Sequence, residues 1–190
     1  EPLRLLPEDS GTAQAPVTWR GAEGETVVLS GGRRIKGMWE KGKAGIWSVA
    51  VPEVDKRWNF RQLFIEGKRA TRARFPNASE VNPFLYATGG AADHAVIDPK
   101  LIKPSWGRAP DAQINIVAQW KFFNQWNTVT GVDVDNGRID FADSERHGKI
   151  TKGNWFWIEG VKEELDETGE WYLDRNEERL YYKPELGVDP

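Results

Sequence analysis

Paired carboxylates are the residues of this chain whose type is best suited to catalysis. Acidic residues are concentrated in Glu163-Glu164 and Asp166-Glu167, and Asp174 follows soon after. Two carboxyl groups that face each other across a cleft can hydrolyse a glycosidic bond, one as the acid and the other as the nucleophile or base. These acids lie in polar, turn-like runs, where a solvated surface is the usual environment. We therefore assign no catalytic residue to this chain.

The two histidines, His94 and His147, are the residues to consider for zinc binding or nucleophilic catalysis. Neither has a second histidine at ligand spacing, and the chain contains no cysteine. A zinc site is therefore not expected. Ser144 and Asp143 lie close to His147, but the Gly-x-Ser-x-Gly context of a hydrolase nucleophile is missing. We expect no cofactor.

The segment 133–140 is rich in aspartate and has some features of a calcium-binding loop. Gly137 comes one position too early for such a loop, and no glutamate follows at the required distance. Asn136-Gly137 between alternating apolar residues is instead the strongest short-range signal of a β-hairpin. The segment is therefore interpreted as a hairpin, and no metal site is assigned.

Aromatic residues give the best functional signal, with ten tryptophans among 190 residues. An aromatic plane can pack on the C–H face of a sugar ring, while arginine and amide side chains bind its hydroxyl groups. Trp155 and Trp157 share one face of a predicted strand and Phe156 and Ile158 share the other, so one face is free to present aromatic surface. For each tryptophan, burial in the core is the alternative. The candidate carbohydrate-binding residues are Trp58, Trp106, Trp126, Trp155, Arg72 and Arg74.

These candidates must be positioned by β-strands, because no long amphipathic helix is found along the chain. Short apolar or alternating runs bounded by glycine, proline and polar turns predict strands. A polar turn predicts a closing hairpin that pairs Trp171-Tyr172-Leu173 with Leu180-Tyr181-Tyr182. The other predicted strands lie at 45–52, 63–65, 69–71, 112–120, 155–158 and on both sides of Asn136-Gly137.

Two regions fall outside this pattern. Residues 75–110 are rich in proline and glycine and predict a long irregular loop. Near the amino terminus, short β-branched runs at 17–19 and 27–29 are spaced by about ten residues. Such spacing is compatible with a sandwich, a barrel or the coils of a β-helix.

Bulk composition excludes several function classes. The formal net charge is −3 and the isoelectric point is near 5.6, which argues against a nucleic-acid-binding protein. No apolar run approaches the ~20 residues needed to span a bilayer, so no membrane partner is expected.

The order of several segments resembles right-handed parallel β-helix proteins that belong to, or are near, glycoside hydrolase family 141. The resemblance covers nearly the whole chain, and the combination of segments is more specific than any one of them. The matching pieces are 7–12, 15–21, 28–32, 60–69, 73–77 and the terminal Gly-Glu-Trp-Tyr-Leu-Asp-Arg segment at 169–175.

In proteins of this kind, an early β-helix coil is interrupted by an inserted β-rich domain, after which the β-helix resumes. The resemblance implies that residues 1–35 form a partial β-helix coil and that 36–190 form an inserted β-sandwich or barrel-like domain. The long β-helix that carries the catalytic acids would then follow Pro190. One departure is the turn at 176–178, which lacks the glycine expected there.

The resemblance implies a non-catalytic module of a bacterial, secreted, polysaccharide-active β-helix protein, located outside the cell or in the periplasm. The module would bind carbohydrate or shape one wall of a substrate cleft, with a plant cell-wall glycan such as xylan as ligand. A purely structural domain that binds nothing alone is the alternative. An isolated coil would expose strand edges, so self-association is also expected.

Overall fold

The computed structural model describes residues 3–52, 54, 58–118, 122–144 and 148–185. The chain divides into two compact units, Glu1–Lys36 and Gly37–Pro190. In the first unit, the described residues form a 3₁₀ turn at Pro7–Asp9 and no strand. The runs at 17–19 and 27–29 therefore have no strand partner here. A β-helix strand takes its hydrogen bonds from a neighbouring coil, and the partial coil stays a prediction.

The second unit is built from two β-sheets and contains no α-helix among its described residues, as expected for an all-β, sandwich- or barrel-like domain. The described residues include no helix with the length and hydrophobicity of a membrane span. One sheet has six strands in the order β1 (Glu40–Lys41), β2 (Trp47–Ala50), β14 (Arg179–Lys183), β13 (Glu170–Asp174), β4 (Lys68–Arg72) and β3 (Leu63–Ile65).

The second sheet has eight strands, seven of which form a continuous series. Their order is β5 (Arg74–Phe75), β12 (Trp155–Glu159), β9 (Gln113–Val117), β10 (Asn124–Asp133), β11 (Arg138–Phe141), β8 (His94–Val96) and β7 (Gly89–Gly90), and β6 (Leu85–Tyr86) pairs with β12 outside this series.

Both predicted hairpins are confirmed. β10 and β11 pair antiparallel across the turn that contains Asn136-Gly137, where Gly137 has a φ of +68°. Glycine adopts this left-handed conformation without strain because it has no Cβ atom. This explains why Asn-Gly in the sequence predicts the hairpin turn. β13 and β14 pair antiparallel from Glu170↔Lys183 to Asp174↔Arg179. Glu178 closes their turn with a φ of 51°, at a position where glycine would be favoured.

The proline- and glycine-rich segment 75–110 is more regular than the sequence suggests. It contains β6, β7 and β8 together with 3₁₀ turns at Pro99–Leu101 and Pro104–Gly107. These elements are too short to produce a recognisable period. The segment nevertheless contributes buried side chains to the core of the eight-stranded sheet, namely Leu85, Ala87, Ala95, Ile97, Ile102 and Trp106.

The two faces of the strands β12, β9 and β10 have different roles. Phe156, Ile158, Ile114 and Ile116 are fully buried and belong to the core of the eight-stranded sheet. Because side chains alternate along a strand, the residues between them point to the opposite face. That face is polar and aromatic, and it carries the candidate site.

The chain passes from one sheet to the other at Ala73, which is fully buried between β4 and β5. β4 ends at Arg72 and pairs in parallel with β13, whereas β5 begins at Arg74 and pairs antiparallel with β12. Arg72 and Arg74 are therefore placed on either side of the crossing, where side chains can reach both sheets.

Candidate functional site

A cleft of about 450 Å³ lies between the end of β4 and the polar face of β10 and β12. Its lining combines two tryptophans with a set of charged and amide side chains. The residues that line it are Arg61, Gln62, Arg69, Ala70, Thr71, Arg72, Arg74, Trp126, Trp157 and Glu159.

A cross-strand row of three residues lies on the sheet face beside this cleft, and two of them, Trp126 and Trp157, line it. Asn115 on β9 is paired with Trp126 on β10 and with Trp157 on β12, so the three side chains share one face. Trp126 is 42% exposed, whereas Asn115 is 0% exposed. The Asn115 Oδ1 accepts a hydrogen bond of 3.4 Å from Asn124. Within the described part of the chain, Asn115 Nδ2 has no acceptor.

Arg72 connects the two sheets through a network of hydrogen bonds. Its guanidinium donates to Gln113 Oε1 at 2.6 Å and to Glu159 Oε1 at 3.0 Å. The second carboxylate oxygen of Glu159 accepts the indole N–H of Trp157 at 2.9 Å. Arg72 and Glu159 are both largely withdrawn from solvent, so this ion pair fixes the position of the Trp157 ring.

The guanidinium of Arg74 packs against the ring of Trp157. Its Nε donates to the Pro76 carbonyl at 2.9 Å, and the guanidinium also donates to the Pro83 carbonyl. The guanidinium carbon lies 4.5 Å from the centre of the Trp157 ring, a cation–π distance. Burial lowers the pKa of Arg74, against the attraction of Glu159 and Glu170, yet the side chain remains a cation at neutral pH.

The structure brings together three of the six predicted site residues. Trp126, Arg72 and Arg74 all line the cleft. Trp155 lies on the same strand face, but its ring packs against Phe84 with a centroid distance of 4.4 Å and does not line the cleft. Trp58 is half-buried and packs against Phe60 at 5.2 Å, also outside the lining.

Trp106 was wrongly predicted to be an exposed platform. It is 0% exposed and belongs to the core of the eight-stranded sheet. Its indole N–H donates to Glu164 Oε1 at 2.8 Å, and Lys103 Nζ donates to the other oxygen of this buried carboxylate at 2.5 Å. The polar sequence around Trp106 hides this burial, because the partner that satisfies its N–H lies far along the chain.

The sequence reasoning missed several cleft residues: Trp157, Glu159, Arg61, Gln62 and Arg69. The alternation along β12 was a usable signal for two of them, because Trp155, Trp157 and Glu159 share one face. Arg61 and Gln62 show no local sequence pattern that would identify them. They reach the cleft because the chain continues directly from them into β3, which pairs with β4.

The fold and the cleft define an all-β domain with an aromatic, arginine-rich groove. The family model described as "GH141 insertion domain" matches residues 44–185. This match covers most of the chain, and the chain therefore belongs to the family of GH141 insertion domains.

A solved structure described as "Glycoside hydrolase" is similar in fold, with a TM-score of 0.82 and 26% sequence identity. The alignment covers 100% of this chain and 34% of the solved one, so the chain spans about a third of that protein. No curated protein gives a significant match. The predicted relation to family 141 glycoside hydrolases is confirmed, while the β-helix coil is not established by these matches.

Proposed function

We propose that this insertion domain contacts polysaccharide through the cleft between its sheets and so forms one wall of a substrate groove. The observation that carries the proposal is the exposed Trp126 ring, which faces the cleft in one row with Asn115 and Trp157. Aromatic surface supplies affinity for the C–H faces of sugar rings. The amide and guanidinium groups around it supply directional hydrogen bonds to hydroxyl groups.

The ligand that we propose is a plant cell-wall glycan of the xylan type, on the basis of the family relation. In this proposal the domain does not cleave the glycan, and hydrolysis belongs to a β-helix elsewhere in a glycoside hydrolase. The protein would act on polysaccharide outside the cell or in the periplasm of a bacterium.

A purely structural role is the second candidate. It is favoured by the complete burial of Trp106 and Trp171, which belong to the interior of the domain. It does not account for Trp126, whose ring is exposed beside a row of hydrogen-bonding groups. A purely structural domain would bind no ligand at the Trp126 surface, so this role leaves the exposure of that ring unexplained.

A pull-down with insoluble xylan, cellulose, mannan and pectin, together with intrinsic tryptophan fluorescence in soluble oligosaccharides, tests the proposal. We expect retention on xylan and a fluorescence change on binding. Trp126→Ala should weaken binding about tenfold, the effect of losing ~1.4 kcal/mol of contact. Trp19→Ala is the matched control, because Trp19 is also exposed but does not line the cleft. Absence of retention on every glycan would favour the structural role.

A further inference from the structure

We propose that the cleft selects acidic glycans, and that the group it recognises is the carboxylate of a hexuronate residue. This inference rests on the proposed function and specifies the class of sugar. It is carried by the charge of the cleft and by the free arginines that line it.

The cleft is strongly cationic in a chain that is acidic overall. Its charged lining consists of four arginines and one glutamate, which leaves an excess of three positive charges. The chain as a whole has a formal net charge of −3. A local concentration of positive charge in a partly enclosed groove attracts anions and raises their local concentration. A neutral glycan would gain nothing from this excess.

The four arginines divide into two engaged and two free residues. Arg72 is paired with Glu159, and the guanidinium of Arg74 is held by two carbonyl groups and the Trp157 ring. Arg61 and Arg69 form no ion pair or side-chain hydrogen bond within the described ranges, and both are exposed. The guanidinium of an arginine matches a planar carboxylate through two parallel hydrogen bonds.

The experiment measures the affinity of the whole chain for matched oligosaccharides by isothermal titration calorimetry. The probes are a neutral xylo-oligosaccharide, the same oligosaccharide with a glucuronate branch, an oligogalacturonide and a sulfated xylo-oligosaccharide. We expect at least one uronate-bearing probe to bind tenfold or more tightly than the neutral one. This advantage should shrink when the ionic strength is raised, because the cleft is open to solvent.

Two variants assign the effect to the free arginines. Arg61→Gln combined with Arg69→Gln should reduce the affinity for the uronate probe to that for the neutral one, while the neutral affinity changes less than twofold. Arg108→Gln is the control, because Arg108 is exposed and does not line the cleft. It removes one positive charge from the domain and should leave all affinities unchanged.

The outcomes separate this inference from the function on which it rests. Equal affinity for neutral and uronate-bearing probes would overturn the selectivity for acidic sugars but leave glycan binding intact. Tighter binding of the sulfated probe than of either uronate would show that the recognised group is a sulfate ester. If none of the four probes binds, glycan binding itself is wrong.

Discussion

At the residue scale, Glu170 is a carboxylate buried where the chain crosses between the sheets. It is 1% exposed and accepts backbone N–H groups from Arg74 at 3.3 Å and from Asp166 and Glu167 at 3.2 Å. Burial raises the pKa of Glu170 from 4.5 to about 7, because the three hydrogen bonds only partly offset the loss of solvent. The group thus changes its charge near neutral pH.

This pKa predicts a pH dependence of stability. Between pH 4.5 and about 7, folded Glu170 retains a proton that the unfolded chain has released, so the free energy of unfolding should fall as the pH rises through this window. The total loss is on the order of 3 kcal/mol. Urea unfolding of the wild type and of Glu170→Gln at several pH values measures it. A variant curve as steep as that of the wild type would contradict the assignment to Glu170.

The residues of the cleft show how far sequence reasoning reaches at this scale. Alternation correctly separated the core residues Phe156 and Ile158 from Trp155 and Trp157, because a strand has two faces and only one joins the core. Trp106 was misjudged, because its burial depends on a hydrogen bond to Glu164, which lies 58 residues away. Contacts of this kind leave no local pattern in the sequence.

At the element scale, the 3₁₀ turn Lys162–Glu164 is tied to the core by one carboxylate. Glu164 accepts hydrogen bonds from Trp106 and Lys103, so its removal leaves a buried indole N–H without a partner. We expect Glu164→Ala to reduce the free energy of unfolding by about 3 kcal/mol. Glu163→Ala, in the same turn but exposed, should change it by less than ~0.5 kcal/mol. Chemical denaturation of both variants checks the difference, and equal effects would refute this role of Glu164.

The turn between β13 and β14 contains a second element-scale prediction. Glu178 has a φ of 51°, a conformation that costs a residue with a Cβ roughly 1 kcal/mol relative to glycine. Glu178→Gly should therefore raise the free energy of unfolding by up to ~1 kcal/mol. Asn176→Gly in the same turn is the control, because Asn176 does not have a positive φ, and it should give no gain. Thermal unfolding of both variants and of the wild type measures these differences in stability. A loss of stability in Glu178→Gly would contradict the prediction.

The segment 75–110 shows where element prediction fails. Its strands are two or three residues long, too short for an alternating hydrophobic pattern to be recognised. β8 pairs with β11 and β6 pairs with β12, and both of these partners lie much later in the chain. The hairpins at Asn136-Gly137 and at the end of the domain were predictable, because each pairing there is between neighbours in sequence.

At the scale of the whole molecule, apolar side chains of the first unit remain exposed. Between residues 3 and 29, those that are more than half exposed are Leu3, Leu5, Leu6, Val17, Trp19, Val27, Val28 and Leu29. Exposed apolar segments of high β-propensity favour pairing with another copy of the chain.

We therefore expect the full chain to self-associate as its concentration rises, as measured by sedimentation velocity. Replacing Val28 and Leu29 by glutamate should weaken this association. A variant without residues 1–36 should be monomeric and should retain a cooperative unfolding transition, because the buried core residues lie between Val49 and Tyr182. Association that persists in the shortened chain would place the contact in the second unit.

The Trp157 wall of the cleft is ordered before a ligand arrives. Glu159 holds its indole N–H, and the Arg74 guanidinium lies against its ring. A sugar that binds loses translational and rotational entropy. The side chains of this wall lose little additional conformational entropy, because they are already held in place. Ligands of equal charge should therefore associate at similar rates and differ in how long they stay bound. Their dissociation rate constants are the quantity in which chemical differences between them will be seen.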